Sequence, residues 1–147
     1  VTKPLDELFE LELGNHLVAA TKIVFGLEDR FNAGVLLINN KLWKEENIQK
    51  QCIDITNSEH ETLPEADQTV LNRLCGDRYI VLDDTYNCQI GYDCLAEQRK
   101  QYFILEKSIN PLPAIIHYLS EDKPWNLFSF SRLRDVWCTG LVRNHRP

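Results

Sequence analysis

The chain contains no methionine, not even at position 1, so a longer parent polypeptide is expected. It has no C-x-x-C pair: Cys52, Cys75, Cys88, Cys94 and Cys138 are odd in number and scattered. That pattern argues against a disulfide framework or a zinc site and fits reduced thiols. No apolar run approaches the roughly 18 residues of a membrane span, and the N-terminus lacks the basic, apolar and small-residue order of a signal peptide. A basic surplus is also missing, since 22 acidic residues outweigh 16 basic ones for a net charge of -6. A broad surface for nucleic acid or anionic membrane is thereby disfavoured, although local basic sites are not. Glycine and proline number only 6 each, and there is no repeat or low-complexity tract, which sets aside fibrous and disordered classes. What is present, 44% apolar and 26% charged residues in 147, suits one globular core.

Apolar spacing divides the chain into helices and strands. "PLDELFEL" carries Leu5, Leu8 and Phe9 at helical intervals behind Pro4, with Gly14 and Asn15 as the stop. "HLVAATKIV" and "FNAGVLLINN" are short Val- and Ile-bearing runs of the kind buried on both faces of a sheet. Leu42, Trp43, Ile48, Cys52 and Ile55 predict one amphipathic helix over 42–55. A second helix follows Asp67, with Val70, Leu71, Leu74 and Cys75 on its stripe and Gly76 ending it. "RYIVLDD" and "PAIIHYL" read as strands, 91–108 as a loop-helix region, and "SRLRDVWCTGLV" as a closing helix. Intermingled strands and helices place the chain in the α/β class.

Polar groups interrupt this apolar plan at four places: Asn32 before Ala33 and Gly34, the pair Asp67-Gln68, Asn87, and His117 with Lys123. Each has a structural reading beside a functional one. Asn32 suits a turn, Asp67 a helix N-cap, and His117 a satisfied core histidine. Yet strand carboxyl ends are where α/β sheets bind ligands, and an imidazole for a metal with a lysine for an anion make a coherent diphosphate site. Pro124 fixes the loop behind Lys123, and Trp125 is expected to anchor it in the core.

Taken together and in order, "RFNAGVLLINNKLWKEENI", "ADQTVLN", "YN" at 86–87 and "IIHYLSEDKPW" closely resemble the second half of glycosyltransferase family 8. "VTKPLDELFELEL" resembles the segment just after that family's Asp-x-Asp motif. The resemblance implies a GT-A-like fold and a configuration-retaining, metal-dependent transfer of a hexose from UDP-glucose or UDP-galactose. It further implies Mn2+ or Mg2+ held in part by His117, and Lys123 on the diphosphate. Asn32, Ala33, Gly34 and Asn87 would then line the donor-sugar pocket, with Asp67 and Gln68 beside the transferring carbon. The partners so implied are a UDP-hexose donor and a saccharide or glycosylated-protein acceptor. The setting is bacterial surface-glycan or lipopolysaccharide synthesis, in the cytoplasm at the inner face of the membrane.

Four departures limit that picture. No Asp-x-Asp precedes "PLDELF", so residues 1–147 are expected to be one partial domain, the C-terminal portion of a GT-A-type catalytic domain, inactive in isolation. "VFGLED" is shorter than the family's acceptor-facing stretch, and Ser120 stands where the family usually has glycine. The tail "WCTGLVRNHRP" also diverges. A non-catalytic, partner-binding remnant is therefore the alternative, since missing strands would leave an apolar sheet edge open. A metal hydrolase is a weaker third, because His16, His60 and His145 are scattered.

Overall fold

Val18, Ala19, Ala20 and Thr21 are wholly inaccessible to solvent, and the architecture is built around them. The computed structural model describes residues 1–23, 29–91, 111–119 and 121–144. Strand β1 (Val18–Ala20) is central in a three-stranded sheet. It runs antiparallel to β2 (Leu37–Ile38), with Val18 opposite Ile38, and parallel to β3 (Tyr79–Val81), with Val18 opposite Tyr79. Because strand side chains alternate, Val18 and Ala20 join Leu17, Phe31, Ile48 and Cys75 in one cluster. Ala19 joins Leu8, Leu13 and Leu82 in another. Small residues at 19 and 20 let both faces be covered closely.

The helices are α1 (Asp6–Phe9), α2 (Asn40–Glu45), α3 (Ile48–Glu59), α4 (Ala66–Cys75) and α5 (Arg134–Asn144). Leu42, Trp43, Cys52, Leu71 and Leu74, from α2, α3 and α4, pack on the first cluster. A separate two-stranded sheet pairs β4 (Cys88–Ile90) in parallel with β5 (Ile116–Tyr118), setting Gln89 opposite His117. Buried Gln89 ties the sheets together, its amide donating to the Lys22 carbonyl at 2.8 Å. No helix among the described residues is long and apolar enough to cross a membrane.

Several local expectations are corrected. "FNAGVLLINN" is not one strand: Phe31 forms an isolated bridge with Lys22, a turn follows, and β2 has only two residues. Asn32 makes that turn, its Oδ1 accepting from the Gly34 amide at 3.0 Å. Residues 42–55 form two helices, because Asn47 sits in the left-handed region at φ 54°, a conformation Asn tolerates. Helix α1 stops at Phe9, well short of Gly14, whose φ of 53° belongs to a later turn. Glu65, not Asp67, is the N-cap position of α4, and Asp67 lies in the first turn, where the helix dipole favours a carboxylate. Trp125 is 59% exposed, tilted against Trp137 at a centroid distance of 5.9 Å, so the loop anchor is the buried Pro124. The expected loop-helix over 91–108 falls, apart from Gly91, outside the described residues, as do Ser120 and Cys94.

Candidate functional site

Alternation along β4 and pairing with β5 determine which side chains meet. Asn87 precedes Gln89 by two residues and shares its face, and His117 is the cross-strand neighbour of Gln89. Asn87 and His117 therefore meet, with Nδ1 of His117 3.0 Å from Oδ1 of Asn87. Asn87 is 1% exposed and Asn32 only 4%, so both amides need internal partners. They supply each other: Asn87 Nδ2 donates to Asn32 Oδ1 at 2.9 Å.

From Asn32 the connection runs to α4. Asn32 Nδ2 and the Ala33 amide each donate to Gln68 Oε1 at 3.2 Å. Gln68 Nε2 in turn donates to Glu65 at 3.1 Å, and Glu65 is ion-paired with Arg30 at 2.6 Å. One turn along, Asn72 clamps the Phe31 backbone, accepting from its N–H at 2.9 Å and donating to its carbonyl at 2.8 Å. This side chain does for Phe31 what a neighbouring strand would do.

Gly34 is explained by the histidine rather than by backbone conformation. A Cβ placed there would lie 1.9 Å from Cε1 of His117 and 2.5 Å from Nδ1. Only hydrogen fits between that turn and the ring. Burial, and secondarily the charge of Lys123, push the His117 pKa below its ordinary 6.5, which favours the neutral ring. Lys123 itself folds back to donate to the Tyr118 carbonyl.

Asn32, Ala33, Gly34, Gln68, Asn87 and His117 thus form one continuous contact network, with Lys123 electrostatically coupled to it. Asp67 stands outside the network, exposed on α4. Two positioning residues were missed by sequence reasoning, Asn72 and Gln89. The four-residue interval from Gln68 puts Asn72 on the same helix face, and Gln89 is a polar residue between apolar strand neighbours; both were readable signals. Among the described residues, no three His, Cys, Asp or Glu gather as a metal site. Cys52, Cys75, Cys88 and Cys138 are free thiols, and burial pushes Cys75 up to about 11.

The chain is similar to several known proteins. The chain is 53% identical over 137 residues to glycosyltransferase GlyE of Streptococcus pneumoniae serotype 4 (strain ATCC BAA-334 / TIGR4), covering 93% of this chain and 34% of GlyE. It is 40% identical over 157 residues to glycosyltransferase GlyA of the same strain, covering 99% of this chain and 22% of GlyA. The crystal structure of GlyE superposes with a TM-score of 0.86 at 52% identity, over 95% of this chain and 36% of that one. The galactosyltransferase LgtC, solved with donor and acceptor sugar analogs, shares the fold with a TM-score of 0.70 at 23% identity, over 98% of this chain and 57% of LgtC. The GT-A-like α/β expectation is borne out over the part of the fold covered, and the chain spans about a third of GlyE's length. Residues 1–128 match the model of glycosyl transferase family 8, and the chain belongs to that family.

Proposed function

We propose that the protein moves a hexose from UDP-glucose or UDP-galactose to a surface-glycan acceptor, with retention at the anomeric carbon and with a divalent cation, manganese or magnesium. In this reading the 147 residues are part of one catalytic domain. The cytoplasm, at the inner face of the membrane, is the compartment, where reduced cysteines are at home. The observation that carries the reading is His117: a neutral imidazole in contact with Asn87, abutting Gly34 and coupled to Lys123.

One imidazole does not hold a divalent cation alone. The described residues fit one nitrogen corner of such a site, and oxygen ligands would come from elsewhere. Bound there, the cation would offset the negative charge growing on the departing diphosphate. Lys123 supplies a compact positive charge for the same phosphates once it swings from the Tyr118 carbonyl. Asp67, exposed in the first turn of α4, faces the sugar, where a carboxylate stabilises a cationic ring or accepts from a hydroxyl. Gln68 braces the Asn32–Ala33 turn beside it. The acceptor's proton goes to the departing phosphate oxygen.

The test is UDP-sugar hydrolysis and transfer by the full-length protein with and without manganese. Metal-dependent UDP binding is expected, and His117→Ala should abolish it; binding unchanged in that variant would refute the metal-ligand role. A non-catalytic, partner-binding module is the second reading, favoured by the exposed Val81 and Ile38 on β3 and β2, at 53% and 42%. Full-length protein that never turns over a UDP-sugar yet forms a stable complex with a second subunit would select it.

A further inference from the structure

We propose that Asn87 is a positioning residue that holds the His117 ring in its Nδ1–H tautomer and so leaves the lone pair on Nε2. The inference follows from which atoms can only donate. The Gly34 backbone N–H reaches Asn32 Oδ1 at 3.0 Å, which makes that end of Asn32 the carbonyl. The Ala33 backbone N–H likewise identifies the end of Gln68 that it meets as the carbonyl, and Asn32 Nδ2 donates to the same atom. Both assignments agree, so the orientation of Asn32 is doubly determined.

With Asn32 presenting an acceptor, the Asn87 group 2.9 Å away must be its NH2. The other end of Asn87, 3.0 Å from His117 Nδ1, is then a carbonyl oxygen and can only accept. The proton of the neutral ring therefore sits on Nδ1. A free imidazole in water favours the opposite form, Nε2–H, which has no lone pair to offer at Nε2. The two backbone amides of the "NAG" turn thus set, through two buried asparagines, which ring nitrogen of His117 keeps its lone pair. In metal sites, partners that fix a histidine this way change affinity by about 10–100-fold.

This role rests on the functional reading above only for its purpose, and its test needs no metal. Nitrogen-correlated NMR of the full-length protein, at about pH 8 where an unperturbed imidazole is neutral, reports each tautomer by its ring-nitrogen shifts. The expected result is Nδ1–H for His117 in the native protein. Asn87→Asp, which keeps an acceptor of the same shape, should retain that tautomer and move the Nδ1 proton downfield. Asn87→Leu should release the ring toward Nε2–H and weaken manganese binding about 10–100-fold. An Nε2–H ring in the native protein overturns the proposal without recourse to any variant. So does an Nδ1 proton that does not respond to Asn87→Asp, or a tautomer unchanged in folded Asn87→Leu protein. Should the tautomer behave as stated while manganese binds to neither protein, the positioning role stands and the metal reading falls.

Discussion

Residues 34 and 117 are packed so closely that a Cβ at 34 would overlap the ring. Gly34 has no positive φ to explain it, and its missing side chain is the space that the His117 ring occupies. Gly34→Ala should therefore destabilise the protein by about 1–3 kcal/mol through overpacking. The loss should be coupled to the ring: Gly34→Ala in a His117→Ala background should cost well under half as much, because the clashing atoms are gone. Equilibrium urea unfolding of the four proteins in that cycle measures the coupling, and strictly additive costs would show that the two residues do not meet. At this scale the sequence was highly legible. Asn32, Gln68, Asn87 and His117 stood out as polar residues breaking an apolar plan, Gly34 came from the family resemblance, and the network joins them. Asp67 shows the boundary of that legibility, since an exposed carboxylate in a first helical turn suits both a dipole partner and a sugar-facing group.

Elements were harder to read than residues. "FNAGVLLINN" has the composition of a buried strand, but Asn32 bends it through the Gly34 amide and only Leu37–Ile38 pair with β1. Composition does not reveal that, because the alternative partner for the Phe31 backbone is a side chain, Asn72, from a helix far along the chain. The single helix expected over 42–55 is divided at Asn47, where one residue in the left-handed region redirects the chain without disturbing the apolar spacing. The clamp on Phe31 has a measurable consequence. Asn72→Ala leaves a buried N–H and a buried carbonyl without their partner and should cost roughly 2–4 kcal/mol. Gln51→Ala, on the exposed face of α3, should stay within about 0.5 kcal/mol. Thermal or urea unfolding checks both, and equal, small effects would mean that Phe31 is held by packing alone.

Across the whole molecule, two small sheets meet through Gln89, and the network from α4 to β5 crosses that junction. A site assembled across two sheets requires both to keep their mutual position, which is why buried amides rather than flexible charged groups make the connection. The ordered motifs announced this family before any coordinates did, and the fold agrees with it; metal, donor and acceptor rest on His117, Lys123 and Asp67 as proposed roles. The central claim is that His117 offers a nitrogen to the metal beside the diphosphate. Pulsed electron paramagnetic resonance of manganese bound with UDP to the full-length protein tests it directly. The expected result is a nitrogen coupling at the manganese that changes when histidine is isotope-labelled and disappears in His117→Ala. Manganese bound with UDP but lacking any histidine nitrogen coupling in the native protein would contradict it.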